Sequence, residues 1–330
     1  PDQTDYLSGG GSAAVRWLEN TSDLPAALTA RGFSCAYEPA FGVSVVHSFR
    51  QNARTAVLNA AKSDVNIVCV GTGGRVEFEE GDRLTMRLPE VQERVILDSA
   101  ACNPNTVVIV FAGAAVDMSA WEDSVAAILY AGFPGMGGAE ALADILTGKV
   151  NPSGKLSETF PLDLEDVPAA GTYRRAGVTR YQEGLDVGYR YFDTYDVPVL
   201  YPFGHGLSYS EFFYRDLRLS LEDGRVIAEY VVENVSGRDG KEVSQVYVGE
   251  DVPLVYRPKK ELKGFSKDLI KAGKCVKVRV GLDFRAFAHW NAARDTWTVT
   301  DGVYTVSVGA SAEDIRLTAK LRIEDGKFVL

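Results

Sequence analysis

The chain has 330 residues, of which 46% are hydrophobic and 24% charged. These are the proportions of an ordinary globular protein, and they exclude long disorder, collagen-like repetition and a small disulfide scaffold. The formal net charge of −10 is opposite in sign to the basic surface that binds a phosphate backbone, so no nucleic-acid partner is expected. The most apolar run, Val107 to Val116, is roughly half as long as a membrane-spanning helix, and no membrane segment is expected.

Cysteine and histidine spacing gives no support for a metal site. The cysteines at positions 35, 69, 102 and 275 show no CxxC pattern, and the three histidines are far apart in sequence. We therefore expect buried free thiols and neither a metal nor another cofactor. The compartment stays open between secreted or periplasmic and cytoplasmic.

The first half of the chain alternates apolar runs with helical patterns, which predicts βαβ units and a largely parallel sheet covered by helices on both faces. The predicted strands are Val65–Val70 and Thr106–Phe111, and a further apolar run covers 124–130. Helical spacing covers 51–62, 88–101 and 138–148. We assign 1–160 to this α/β/α sandwich domain.

The second half changes to period-two patterning. Residues 161–213 are rich in Pro, Gly and Tyr and are predicted to form an extended connector. Residues 214–330 are predicted to form an antiparallel β-sandwich, with strands at 216–221, 226–233, 242–249, 275–282, 297–299, 303–308 and 315–323.

Two common catalytic signatures find little support. The glycine runs Gly9–Ser12 and Gly71–Gly74 match neither GxGxxG nor GxxxxGKS, so we interpret them as turns and not as phosphate loops. Ser12 does not lie in a GxSxG motif, which disfavours an α/β hydrolase with its own nucleophile.

The segment from Glu77 to Arg83 is the densest acidic cluster, with carboxylates at 77, 79, 80 and 82. It follows the first predicted strand, at the edge of a parallel sheet where ligands bind. One interpretation is a solvated loop in which Asp82 pairs with Arg83. The other is that apolar surroundings and like charges raise the pKa of one glutamate, which then acts as a general acid.

Several motifs, in a shared order across almost the whole chain, resemble the carboxyl-terminal half of a family 3 glycoside hydrolase, the β-glucosidase and β-xylosidase family. They are Gly9-Gly10-Gly11-Ser12-Ala13, Glu79-Glu80-Gly81-Asp82-Arg83 with Leu88-Pro89 and Gln92, Asn103-Pro104-Asn105, Pro134-Gly135 with Gly137-Gly138, Asn151 to Leu156, Glu183 to Tyr191, and Pro202 to Tyr209. The β-sandwich then resembles the fibronectin type III-like domain of that family.

The resemblance implies a retaining, exo-acting β-glycosidase that hydrolyses terminal non-reducing β-D-glucosyl residues without a cofactor. In such enzymes the sheet domain supplies the general acid/base glutamate, and the position that matches is Glu79, with Glu77 as the alternate. The nucleophilic aspartate belongs to a (β/α)₈ barrel. We therefore expect a barrel domain or chain, before or after this one, to be the partner, with a β-glucoside or related oligosaccharide as substrate.

Two alternatives remain open. One is a β-xylosidase of the same family, and the other is a non-catalytic carbohydrate-binding or interaction module. The aromatic residues of the connector fit stacking against sugar rings or packing between domains; they are Tyr173, Tyr181, Tyr189, Tyr191, Phe192 and Tyr195.

Overall fold

A computed structural model describes residues 14–15, 21–40, 49–72, 77, 83–173, 178 and 180–330. The chain divides into two compact units. Unit 1 consists of Pro1–Val150 with Leu162–Leu164, and unit 2 consists of Asn151–Pro161 with Glu165–Leu330. The three-way division suggested by the sequence, at residues 160 and 213, stays a prediction.

Unit 1 contains a parallel sheet of β1 (Asn66–Gly71), β2 (Thr106–Phe111) and β3 (Ala127–Tyr130), in that order across the described residues. Both pairings are parallel, and β2 lies in the centre. Five of its six residues are buried, as expected of a strand covered on both faces. The predicted strand 106–111 is confirmed at both ends, and the strand predicted at 65–70 lies one residue further on.

The described part of unit 1 contains four α-helices: α1 (Leu24–Thr29), α2 (Phe49–Ala60), α3 (Glu90–Cys102) and α4 (Gly138–Leu146). Leucines of α1 and α4 pack against alternate residues of the sheet, on the face that carries Ile67 and Ile109. Helix α3 contacts β1 and β2 and packs against α2. Its buried Val95 and Ile96 do not belong to the apolar cluster that the leucines of α1 and α4 form with Ile67 and Ile109. The predicted α/β/α arrangement is confirmed.

Short elements precede the sandwich in unit 2. Strands β4 (Phe160–Pro161) and β5 (Val199–Tyr201) pair with each other, and α5 covers Tyr189–Thr194. Asn151 binds this stretch to the strands that follow, because its Nδ2 donates to Ser210 Oγ at 2.8 Å and its Oδ1 accepts from Ser208 Oγ at 2.8 Å.

The rest of unit 2 consists mainly of β-strands, and the predicted β-sandwich is confirmed. The strands are β6 (Phe212–Glu222), β7 (Arg225–Asn234), β8 (Gly240–Glu250), β9 (Glu261–Ile270), β10 (Cys275–Leu282), β13 (Gly302–Gly309), β14 (Ile315–Glu324) and β15 (Lys327–Val329), with helix α6 (Phe284–Phe287) and the small pair β11 (His289–Asn291) and β12 (Thr296–Thr298) between β10 and β13. One sheet has the order β10-β7-β6 and the other the order β15-β14-β13-β8-β9. A single buried cluster joins the two sheets and includes Tyr230, Val246 and Val306.

Candidate active site

The acidic segment begins at the carboxyl edge of the parallel sheet. Strand β1 ends at Gly71 and β2 at Phe111, and their parallel pairing brings the residues that follow them, Thr72 and Gly113, to the same edge. The Glu77 carboxylate lies between these two. Its Oε2 accepts a close hydrogen bond from the Thr72 hydroxyl and a second, at 3.1 Å, from the Gly113 backbone N–H.

Neighbouring groups approach two glycines of this edge closely. A Cβ on Gly113 would lie 2.6 Å from Glu77 Oε1 and 2.9 Å from the Phe133 ring. A Cβ on Gly71 would lie 2.2 Å from the Phe111 carbonyl oxygen, a distance that Cβ atoms do not adopt. A side chain at residue 113 would therefore displace the Glu77 carboxylate or the Phe133 ring.

Arg83, at the other end of the acidic segment, is bonded to the loop after β2. Its Nη2 donates to the carbonyl oxygens of Met86 at 3.1 Å and Ala115 at 3.0 Å. Its buried Nε has no hydrogen-bond partner among the described residues. Asp82, the predicted partner of Arg83, lies outside those residues, so that pairing stays a prediction.

Of the two glutamates predicted from the sequence, the structure describes only one. Glu79, the predicted general acid/base, lies outside the described residues, as do Glu80 and both glycine runs except Gly71 and Thr72. The alternate, Glu77, is half-buried at the sheet edge. The sequence patterns did not indicate its partners, Thr72 and Gly113. The only signal was that each closely follows an apolar strand.

The expectation of buried thiols is wrong for three cysteines, and the fourth, Cys69, is half-buried. Cys35, Cys102 and Cys275 are exposed, because Cys102 ends α3 and Cys275 begins an edge strand of its sheet. Burial raises the pKa of the remaining thiol, Cys69, to about 12. Within the described part of the chain, no cluster of His, Cys, Asp or Glu is arranged to hold a metal ion.

Several connector aromatics pack against other rings of unit 2. Tyr189 stacks on Phe203 with ring centroids 4.6 Å apart, and Tyr191 contacts Phe192 at 5.4 Å. Tyr173, Tyr181 and Tyr195 are exposed. Packing within the unit therefore accounts for Tyr189, Tyr191 and Phe192.

Comparison with known proteins identifies the class to which these units belong. Residues 1–209 match the model of the glycosyl hydrolase family 3 C-terminal domain, and residues 242–312 match that of a fibronectin type III-like domain. The chain belongs to glycosyl hydrolase family 3 and corresponds to the carboxyl-terminal part of its members. The resemblance inferred from the sequence motifs is thus confirmed.

Individual relatives agree with this assignment. An exo-α-(1→6)-L-arabinopyranosidase of Bifidobacterium longum is 36% identical over 98% of this chain, which covers 43% of that protein. Thermostable β-glucosidase B of Acetivibrio thermocellus is 42% identical over 80% of this chain and 36% of its own length. The crystal structure of a family 3 β-glucosidase from Bifidobacterium adolescentis superposes with a TM-score of 0.90 at 38% identity, covering 94% of this chain and 46% of that one.

The chain thus spans less than half the length of these relatives. Among the residues that the structure describes, no helix has both the length and the apolar character needed to cross a membrane.

Proposed function

We propose that the chain is the carboxyl-terminal part of a retaining, exo-acting β-glucosidase that hydrolyses terminal non-reducing β-D-glucosyl residues. Glu79 is its general acid/base, and a (β/α)₈ barrel, in the same polypeptide or in a second chain, supplies the aspartate nucleophile. The observation that carries the proposal is the similarity to enzymes named β-glucosidase, at 42% identity in sequence and a TM-score of 0.90 in structure.

The position of the acidic segment supports a role in catalysis. Open α/β sheets bind ligands beyond the carboxyl ends of their strands, and Glu77 is held at that edge by groups following β1 and β2. Glu79 is two positions further along the same segment. A barrel docked against this edge would present its aspartate to a sugar whose glycosidic oxygen faces Glu79.

The reaction follows the two-carboxyl scheme of retaining glycosidases. The aspartate attacks the anomeric carbon while Glu79 donates its proton to the glycosidic oxygen, so the C–O bond breaks and the aglycone leaves as an alcohol. Glu79, now a carboxylate, takes a proton from water, and the oxygen of that water displaces the aspartate from the sugar. Both steps require the two carboxyl groups about 5–5.5 Å apart.

The test is Glu79→Gln in the protein that includes the barrel. Glutamine cannot donate the proton, so we expect kcat/KM for a glucoside with a poorly leaving alkyl aglycone to fall by about 10²–10⁴-fold. The rate of formation of the glycosyl-enzyme from 4-nitrophenyl β-glucoside should fall far less, because 4-nitrophenolate leaves with little protonation. Equal losses on both substrates would contradict the assignment of Glu79.

A second sugar specificity is favoured by one relative. The exo-α-(1→6)-L-arabinopyranosidase aligns with 98% of this chain, and an α-L-arabinopyranoside differs from a β-D-glucoside in lacking C6 and in its configuration at C4. The rates of hydrolysis of 4-nitrophenyl β-D-glucoside, β-D-xyloside and α-L-arabinopyranoside therefore decide between a glucosidase, a xylosidase and an arabinopyranosidase. A non-catalytic module would bind sugar as the isolated chain and show no hydrolysis when a barrel is present.

A further inference from the structure

We propose that Glu77 is a positioning residue for the general acid/base, and not the acid itself. Its carboxylate holds the start of the acidic segment against the carboxyl edge of the sheet, and this fixes the place from which Glu79 reaches the sugar. The inference rests on the proposed function of Glu79 and deepens it, because it separates the roles of the two glutamates between which the sequence motif left a choice.

The contacts of Glu77 are those of a fixed acceptor. Among the described residues its two hydrogen-bond donors, the Thr72 hydroxyl and the Gly113 N–H, converge on the same oxygen, Oε2. Neither donor is a mobile surface group, since Thr72 is only 4% exposed and the other is backbone. A carboxylate oxygen that accepts from two such donors is directed into its own domain.

The second oxygen of Glu77 is also confined by the fold. Oε1 lies 2.6 Å from the position that a Cβ on Gly113 would take, and the Phe133 ring lies 2.9 Å from the same position. A side chain at position 113 would thus displace this carboxylate or the ring. These contacts span 36 positions of the chain, so the carboxylate joins the acidic segment to a neighbouring loop of the sheet.

Glu79 follows Glu77 by two residues, and two residues of extended chain reach at most about 7 Å. The position of Glu77 therefore limits the region in which the Glu79 backbone can lie. Because a misplacement of about 1 Å in a catalytic group can cost about 10²-fold in rate, an acceptor at position 77 would matter to catalysis without touching the sugar.

The side-chain chemistry provides a sharp test. Glutamine at position 77 keeps one carbonyl oxygen with two lone pairs, which can accept from both Thr72 and Gly113, but it cannot act as an acid. For the poorly leaving alkyl glucoside and the complete enzyme, we expect Glu77→Gln to lose about three- to tenfold in kcat/KM, because a neutral acceptor is weaker than a charged one. We expect Glu77→Ala to lose about 10²-fold.

The Glu77→Gln variant separates positioning from proton donation. Glu77→Ala displaces the acid, so its loss should be larger for the alkyl glucoside, which needs protonation, than for the 4-nitrophenyl glucoside. Glu77→Gln keeps the acceptor and should lose little on either substrate. A loss on the alkyl glucoside as large in Glu77→Gln as in Glu77→Ala would make Glu77 the acid and overturn the proposal. Wild-type activity in Glu77→Ala would also overturn it.

Acceleration by azide provides a second test, because loss of a residue with a merely structural role does not produce it. When the acid/base is missing, azide can attack the anomeric carbon of the glycosyl-enzyme, forming a C–N bond as the bond to the aspartate breaks, with no proton needed. We expect azide to accelerate Glu79→Ala and give the β-glucosyl azide, and to leave Glu77→Ala unchanged. Glucosyl azide from Glu77→Ala alone would overturn the proposal.

The partner residues allow matched controls. Thr72→Val removes the donated hydrogen bond at nearly constant shape and should reproduce part of the loss seen in Glu77→Ala, and Thr72→Ser should restore it. Thr147→Val is the control, because the Thr147 hydroxyl donates to Ala143 O at 2.7 Å, within the helix end of α4. Equal activities of Thr72→Val and Thr147→Val would contradict the assigned role.

The contact itself can be tested on this chain without the barrel. Amide hydrogen exchange of a peptide that includes Gly113 should be faster in Glu77→Ala than in wild type and close to wild type in Glu77→Gln, because only alanine leaves the Gly113 N–H without its acceptor. Unchanged exchange would contradict the positioning contact. Failure of the Glu79 assignment would leave this result intact, so the two proposals can fail separately.

Discussion

Gln92 of α3 forms two hydrogen bonds with Gly71, the last residue of β1. Its Oε1 accepts from the Gly71 N–H at 2.9 Å, and its Nε2 donates to the Gly71 carbonyl at 3.0 Å. Gln92 is only 6% exposed, so water does not replace these bonds readily. One amide side chain therefore joins the helix to the end of the strand and fixes the residue before Thr72.

Replacing Gln92 with leucine is expected to destabilise unit 1. Both backbone groups of Gly71 would lose their side-chain partner, and leaving a buried polar group unsatisfied costs about 1–3 kcal/mol. We expect the free energy of unfolding from urea denaturation to fall by about 2–4 kcal/mol. Gln92→Glu keeps the acceptor and loses the donor, so its free energy of unfolding should lie between those of wild type and Gln92→Leu.

The control for this prediction lies on the same helix. The Arg94 side chain is 74% exposed and pairs with Asp98, so Arg94→Gln should leave the stability nearly unchanged, because exposed ion pairs contribute little. A Gln92→Leu variant as stable as Arg94→Gln would show that the two hydrogen bonds add nothing to stability.

Thiol reactivity should divide the four cysteines into two classes. Cys35, Cys102 and Cys275 are exposed, whereas burial raises the pKa of Cys69 to about 12 and so suppresses its reactive thiolate. A disulfide reagent with a chromogenic leaving group should modify three thiols quickly in the native chain and the fourth after denaturant is added. In Cys69→Ser the slow phase alone should disappear, and four equal rates would contradict this prediction.

His205 should make the stability of unit 2 depend on pH. Burial lowers its pKa below the usual 6.5, the positive charge of Lys155 lowers it further, and Asp314 opposes this. The unfolded chain therefore binds a proton at a higher pH than the folded one. The stabilisation from neutral His205 is present above about pH 6.5 and is lost as the pH falls through the folded pKa.

The variant for this test is His205→Phe, which keeps a ring beside Tyr201, whose centroid lies 5.1 Å from that of His205. Between pH 7 and pH 5 the free energy of unfolding should fall less in the variant than in wild type. Parallel pH profiles for the two proteins would show that His205 does not titrate differently in the folded chain.

Sequence patterning predicted best the elements whose burial is uniform. Strand β2 is a run of Thr, Val, Ile and Phe, and its predicted bounds agree with the structure. Strand β9 was missed, because it is an edge strand with Lys and Gly among partly exposed residues, and its apolar residues do not alternate cleanly. Edge strands need such charges to avoid pairing with other chains, and this weakens their sequence signal.

The place of Glu77 was predicted, but not its contacts. The rule that loops after parallel strands meet at one edge indicated that Glu77 lies there, as its hydrogen bonds show. The hydrogen bond from Gly113 to Glu77 joins positions 36 residues apart, and neither residue type signals the other. Such a contact follows from the register of β1 and β2, which composition and periodicity do not encode.

In the proposed function, this chain contributes an acid/base to a site whose nucleophile lies on a barrel. The most direct measurement is hydrolysis of 4-nitrophenyl β-glucoside by the purified chain alone and by the same chain with its barrel, supplied in one polypeptide or as a second chain. We predict hydrolysis only when the barrel is present. Comparable hydrolysis by the chain alone would place the nucleophile within these 330 residues and contradict the proposed function.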